Sequence, residues 1–438
     1  MKKNSLFLRE TLFNYLYKLV LMGVGFISIP LLLNYLGVEK YGVWVTIMAV
    51  ISWAQMSDFG IGNGLRNKIT ENLTKGKIER VQSYISTAYY GITIISLILM
   101  AIGILISINI NLQNLFNTSI EVSELKWSFI ITIFSFSLNF VLGLGKTISY
   151  ATHRSSLVGL SQVVYSGLLI LLIFLLKICI PNSNLINVAG VYFLATTFAN
   201  FFISYIIFRD KIYVPLISKY EKELFREIFG IGINFFVIQV CGIVLFSTDS
   251  IIITKILGPD QVSKYSMIDK LFSTITNLYS ILLIALWSGV SKAYTNKDFE
   301  WIRKILKKLK LTLFPLAFGV FVLSLIVNKL VILWTGKNFN FDWRLILVFS
   351  LYTILVAWTG INLNVINGVG KLNLQLILYL LAAILNIPLS IFLANYINLG
   401  IAGVKLATLI CLLPIGIFIP YQVKQILLDK KSKKWILK

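Results

Sequence analysis

The chain has 438 residues, 57% of them hydrophobic and only 13% charged, and its mean hydropathy is +0.83. A soluble protein of this composition would need several hundred residues of uniformly apolar core, so soluble globular and disordered classes are both excluded. The formal net charge of +22 would suit a nucleic-acid partner, but its confinement to alternate connections fits topogenic charge and anionic headgroups, and no nucleic acid is expected.

Twelve apolar segments fill the chain: 11–36, 41–62, 83–109, 126–150, 157–180, 185–208, 229–256, 265–291, 311–333, 344–366, 372–395 and 401–423. Each exceeds the roughly 20 residues that a helix needs to cross about 30 Å of hydrocarbon. The first is too long for a cleavable signal, and no small-x-small site follows it. If the N-terminus is cytoplasmic, the connections on that side hold 28 of the 40 Lys and Arg residues, while the opposite set holds Lys40, Lys264 and Lys337. Basic residues stay on the cytoplasmic side, so both termini are predicted inside. The expected fold class is therefore an all-α polytopic membrane protein of 12 transmembrane helices. Cys179, Cys241 and Cys411 all fall within apolar segments and read as free thiols.

The basic connection at 209–228 divides the segments six and six, which predicts two parallel six-helix lobes. The expected organisation is an N-terminal lobe at 1–208, the linker at 209–228, a C-terminal lobe at 229–424 and a basic tail at 425–438. A trace of duplication supports the division: Leu36-Gly37 precedes Tyr41, and Leu257-Gly258 precedes Tyr265, some 221 to 224 residues later. Residues 64–80 and 293–310 read as amphipathic helices on the inner surface.

No phosphate-binding Gly-x-x-x-x-Gly-Lys-Ser/Thr loop occurs, so ATP hydrolysis is not expected. The only histidine, His153, lacks nearby Cys or carboxylate companions, which leaves no metal site and no cofactor in view. The remaining chemistry is ionisable groups at membrane depth. Lys126, Lys177, Lys255, Lys329 and Arg344 lie near segment ends, where long side chains reach the surface. Lys18, Asp58, Lys146, Asp249, Asp269, Lys270 and Lys405 lie deeper, at about 2.5–3.5 kcal/mol each on the lenient insertion scale, and should face a bundle interior or cavity. Their depths suggest one cluster of Asp249, Asp269, Lys270 and Lys405 and another of Lys18, Lys146 and Asp58. Structural ion pairing competes with a functional role for all of them. Tyr265, Asp269, Ser273, Thr276 or Asn277, and Ser280 form a polar stripe at helical spacing, as cavity lining or as helix-to-helix hydrogen bonding.

Several stretches resemble the polysaccharide repeat-unit flippases, the O-antigen and capsule transporters of the multidrug/oligosaccharidyl-lipid/polysaccharide exporter superfamily. They are Pro30-Leu31-Leu32-Leu33-Asn34-Tyr35-Leu36-Gly37 through Gly42, Asp58-Phe59-Gly60-Ile61-Gly62, the Asp249 to Tyr265 stretch, Asn367-Gly368-Val369-Gly370-Lys371, Asn386-Ile387-Pro388-Leu389 and Leu399-Gly400-Ile401-Ala402-Gly403. The resemblance covers essentially the whole chain. It implies two lobes around a central cavity and transfer of an undecaprenyl-pyrophosphate-linked oligosaccharide to the outer leaflet of the bacterial inner membrane by alternating access. Intramembrane lysines suit a pyrophosphate head. In that family charged cavity residues are associated with substrate or with proton or sodium coupling, and Asp58, Asp249, Asp269, Lys270 and Lys405 are the positions that could serve so here. Implied partners are the lipid-linked oligosaccharide, membrane lipid and the polymerase and chain-length machinery, with the chain acting as a monomer.

The nearest rival is a small-molecule or multidrug antiporter of the same superfamily, which would favour an acidic, aromatic-lined cavity for cationic drugs. A membrane enzyme is disfavoured because Glu39, Glu121, Glu124, Asp260 and Asp342 are scattered singly among short outer connections.

Overall fold

The computed structural model describes residues 2–54, 61–152, 154–369 and 371–428, and every regular element among them is helical. Asp58 and His153 lie outside the described residues. By contacts the chain divides into two compact units, Met1–Val240 and Cys241–Lys438.

The first unit begins with α1 (Lys2–Ala54), which takes in residues from the first two expected spans and joins them without a loop. The junction is a kink at Gly37, with φ 77° and ψ 177°, a conformation open essentially to glycine alone. Then come α2 (Ile61–Thr74), α3 (Ile78–Asn109), α4 (Leu112–Phe116), α5 (Val122–Leu142), α6 (Leu144–Ala151), α7 (Ser155–Cys179) and α8 (Leu185–Phe208). In α2, Ile61, Leu65 and Ile69 recur every four residues, and this single apolar face is buried against Val81, Tyr84 and Ile85 of α3 and Ile148 of α6. Near the α1 kink, Lys40 Nζ sits 2.9 Å from Glu124 of α5, whose carboxylate also accepts the Leu185 amide at 2.7 Å. One carboxylate thereby ties three elements together.

The connection after α8 lies along α3. The Leu216 amide donates to Ser86 Oγ at 2.9 Å and the Glu221 amide to Thr87 Oγ1 at 3.1 Å. Helix α9 (Lys222–Ser247) returns to the same place: Lys68 of α2 pairs with Glu227 at 2.9 Å, and Tyr84 of α3 donates to Glu227 at 2.6 Å.

The second unit contains α10 (Asp249–Leu257), α11 (Pro259–Thr295), α12 (Phe299–Leu311), α13 (Leu313–Thr335), α14 (Trp343–Val369), α15 (Asn373–Ile391) and α16 (Gly400–Leu427). Between α9 and α10 the chain bends by 40° instead of running as one straight span. The kink of α1 is repeated at Gly258, with φ 93° and ψ 162°, between α10 and α11. Backbone geometry thus supports the duplicated Leu-Gly motif. Helix α14 packs against both α11 and α16, and a single π turn at Phe392–Tyr396 ends α15.

Among the described residues, nine helices are long and apolar enough to cross a membrane, or ten if the bent pair counts as one span. Large apolar side chains stay on the outside, with Phe314 75% and Leu333 88% exposed. Such surfaces are costly in water and cost nothing in lipid.

Candidate functional site

Two polar sites lie within the helical units, one in each. In the second unit, α10, α11 and α16 bring together Asp249, Asp269 and Lys405, far apart in sequence. Lys405 Nζ lies 3.2 Å from Asp269 Oδ1 and 3.8 Å from Asp249 Oδ2. It also donates to Tyr265 Oη at 3.1 Å, and that hydroxyl donates onward to Asp249 at 2.5 Å. Thr408 Oγ1 reaches Asp249 at 3.4 Å, and Asn386 of α15 donates to Thr408 at 3.1 Å. The ammonium group stands over the Tyr352 ring, 3.8 Å from its centroid, with the Phe349 ring 5.0 Å away. Aromatic faces replace part of the hydration that this buried cation gives up.

Local sequence explains this convergence. Asp249 opens α10 just past the bend, and Tyr265 and Asp269 are one turn apart on α11. Lys405 lies one turn into α16, whose close approach to the π turn depends on Gly403: a Cβ there would stand 2.7 Å from the Leu393 and Ala394 backbone. The side chains of Asp249 and Lys405 are almost sealed, whereas that of Asp269 is 37% exposed. Two carboxylates face one ammonium, so the network carries one net negative charge when all three are ionised.

Lys270 is half-buried at the next position of α11, rotated about 100° from Asp269. Three of the four expected groups share direct hydrogen bonds and ion pairs, and Lys270 interacts electrostatically with Asp269. Asn277 is exposed, and in the polar stripe Ser273, Thr276 and Ser280 donate to carbonyls of their own helix three residues back. Only Tyr265 and Asp269 of that stripe enter the network.

In the first unit, α5, α6, α7 and α8 enclose a cavity of about 450 Å³. Among the described lining residues Lys146 is the one charged group, beside Asn139, Gln162, Tyr165, Tyr192 and Asn200. Asn139 donates to Thr196 and Thr197 at 3.2 and 3.0 Å, and Asn200 donates to Asn139 Oδ1 at 2.8 Å. The Oδ1 atom of Asn200 is buried without a protein donor. Tyr192 meets Trp44 and Tyr165 edge-to-face, at 5.7 and 6.2 Å between centroids. Amides, hydroxyls, aromatic faces and one ammonium group make a lining suited to a polyhydroxylated anion and poorly suited to a cation. Lys18 is half-buried in α1 and does not line this cavity; Asp58 lies outside the described residues.

Sequence reasoning passed over the asparagines. Asn139 and Asn200 were legible as costly amides in apolar helices, a signal of the same kind as the charges that were weighed. Tyr352 carried no such signal, because one Tyr among many apolar residues reads as packing.

A family model for polysaccharide biosynthesis proteins matches residues 7–287. The chain belongs to this family. A Yersinia pseudotuberculosis protein named for O-antigen export is 25% identical over 365 residues, covering 81% of this chain and 82% of that one. A Salmonella typhimurium protein named for O-antigen transport is 24% identical over 402 residues, covering 91% of each. An inward-facing multidrug-resistance transporter of the MATE family superposes with a TM-score of 0.77 at 15% identity, over 97% of this chain and all of the other. The resemblance read from the short motifs therefore holds for the polysaccharide biosynthesis family, and the fold is that of the wider exporter superfamily. The protein is a multi-pass protein of the bacterial inner membrane.

Proposed function

We propose that this polysaccharide biosynthesis protein is a flippase for a lipid-linked oligosaccharide repeat unit, moving an undecaprenyl-pyrophosphate-linked glycan from the cytoplasmic to the outer leaflet without ATP hydrolysis. The observation that carries the reading is the Lys146 cavity. Its described lining offers one cation for phosphate and several amide and aromatic groups for sugar, and no carboxylate is among those residues. The names of the relatives, for O-antigen export and transport, support the same substrate class. On this reading the chain has twelve spans in two lobes with both termini inside, and alternating access carries the headgroup while the polyprenyl tail stays in the bilayer.

The network of Asp249, Asp269 and Lys405 is the coupling element of this proposal. Two carboxylates around one ammonium can take up a proton or a sodium ion, and Asp269, the most open of the three, is where it enters.

The test follows the trapped intermediate. Cells lacking the protein should accumulate the undecaprenyl-linked oligosaccharide on the inner leaflet. The intact chain should relieve the accumulation, Lys146→Arg should retain a substantial part of that relief, and Lys146→Ala at equal abundance should lose about 10- to 100-fold in flipping rate, the share of one charge-assisted phosphate contact. Normal surface glycan without any trapped intermediate, in cells cleared of redundant flippases, would sink the assignment.

A further inference from the structure

A second site of different character lies in the Cys241–Lys438 unit, where α12 and the end of α16 border a groove of about 630 Å³. Four cations line it, Arg303, Lys307, Lys310 and Lys424, and among the described residues no carboxylate does. Helix α12 buries Ile302, Leu306 and Leu309, which turns Arg303, Lys307 and Lys310 outward along one line at i, i+4 and i+7. Two of these side chains are already placed. Arg303 donates to the Leu427 carbonyl at 3.0 Å, and Lys310 stands 5.1 Å over the Trp358 ring.

The line does not end with the charges. Continuing at the same spacing through α13 it becomes Leu311, Phe314, Phe318, Phe321 and Leu325, all exposed, the four on α13 by 58–75%. Across the groove, α16 repeats the order: Lys424 is exposed, and Tyr421, Ile417, Leu413 and Ile410 follow one another at three- or four-residue steps, 38–64% exposed. Each exposed row therefore runs from cationic residues that line the groove to apolar residues beyond it. A detergent-like apolar patch would lack the cations, and a binding surface for a soluble anion would lack the apolar continuation.

We propose that this groove is a binding site for a bilayer phospholipid with an anionic headgroup, its phosphate held by Arg303, Lys307 and Lys424 and its acyl chains lying along Phe314 and Ile417. The carrier lipid of the transport reaction is the competing occupant. It shares the phosphate chemistry but brings a second charge and a far longer tail.

The experiment uses the purified full chain, exchanged into a zwitterionic detergent and offered equimolar phosphatidylglycerol and phosphatidylethanolamine of matched acyl chains, with bound lipid counted by native mass spectrometry. Phosphatidylglycerol should be retained over phosphatidylethanolamine by more than about tenfold. The Lys307→Gln/Lys424→Gln variant should erase that preference while keeping the Arg303 contact that secures the end of α16. Lys304→Gln/Lys308→Gln removes the same charge from outside the groove and should leave the preference intact. Equal retention of the two lipids, or a preference that survives Lys307→Gln/Lys424→Gln, would overturn the site. Displacement of phosphatidylglycerol by stoichiometric undecaprenyl pyrophosphate would overturn the assigned occupant and give the groove to the carrier.

Discussion

Lys405 is the residue on which the second unit's polar chemistry turns. Its side chain is 4% exposed and Asp249 beside it 2%, so removing either partner leaves the other charge stranded in a medium that cannot solvate it. Lys405→Met is expected to destabilise the protein by about 3–5 kcal/mol, and the triple change with Asp249→Asn and Asp269→Asn to recover most of that loss. Asp269→Asn alone should cost less than about 1 kcal/mol, because that carboxylate is partly exposed and its loss leaves Lys405 beside Asp249. Thermal unfolding in detergent, followed by tryptophan fluorescence, reads all three; an unchanged midpoint in Lys405→Met would refute the buried pair. The charged members of this site were legible because an ion at membrane depth is expensive and therefore conspicuous. Their grouping was not. Lys270 adjoins Asp269 in sequence but leaves α11 about 100° around from it, a matter of helix rotation that spacing alone does not reveal.

At the scale of elements, the Gly37 and Gly258 kinks share a backbone conformation that other residues rarely adopt. Gly258→Ala should cost about 1–3 kcal/mol from backbone strain alone, since the space around a new Cβ is empty. Gly190→Ala, in open space within α8, should be neutral or stabilising by up to about 1 kcal/mol. Equal effects of the two substitutions in an unfolding assay would remove the argument. The tie between α2 and α9 responds to pH instead. Hydrogen bonds from Tyr84 and Lys68 hold Glu227 below the ordinary carboxylate range, and the Glu227 contact raises Lys68. A depressed carboxylate stabilises the folded state above its unfolded value near pH 4.3 and loses that contribution as pH falls through the folded value. The raised lysine contributes fully below about pH 10.4 and fades as pH rises past it. Glu227 is 46% exposed on its side chain, so solvent limits the tie to less than about 1 kcal/mol. Glu227→Gln should therefore lower the melting midpoint slightly at pH 7, and the difference should shrink as the pH falls below the ordinary carboxylate range; a gap that does not shrink on acidification would contradict the linkage. Sequence patterning found the helices and the amphipathic character of α2 and α12, because apolar periodicity is local. It placed a loop between the first two spans, where one glycine turns a continuous helix, and it read a single span, 229–256, across the bend before Asp249.

For the molecule as a whole, composition and loop charge were enough to specify a polytopic membrane protein, since hydrocarbon thickness and the cost of moving cations act on every segment alike. The proposed twelve-span topology with both termini inside is checked by labelling single cysteines placed in a variant lacking Cys179, Cys241 and Cys411. Cysteines at positions 75, 219 and 304 should be blocked only by a reagent that enters the cytoplasm, and those at 119 and 337 by an impermeant one. Labelling of position 337 from the cytoplasmic side would break the alternation and with it the orientation. The substrate's sugar is not written in this pattern, because amides and hydroxyls such as those of Asn139, Asn200 and Gln162 accept many glycans in similar ways.

The one-charge imbalance of Asp249, Asp269 and Lys405 also has an electrical meaning. A bacterial inner membrane sustains a voltage, and carrying a net charge across the whole of it changes the energy by about 2.3 kcal/mol per 100 mV. With no cation aboard, any displacement of this network through the field either stores or releases a part of that energy. With one monovalent cation bound, the network is neutral and the same displacement becomes indifferent to voltage. On the proposed coupling, a lysine fixed between two aspartates would leave only the cation-free half of the cycle sensitive to the membrane potential.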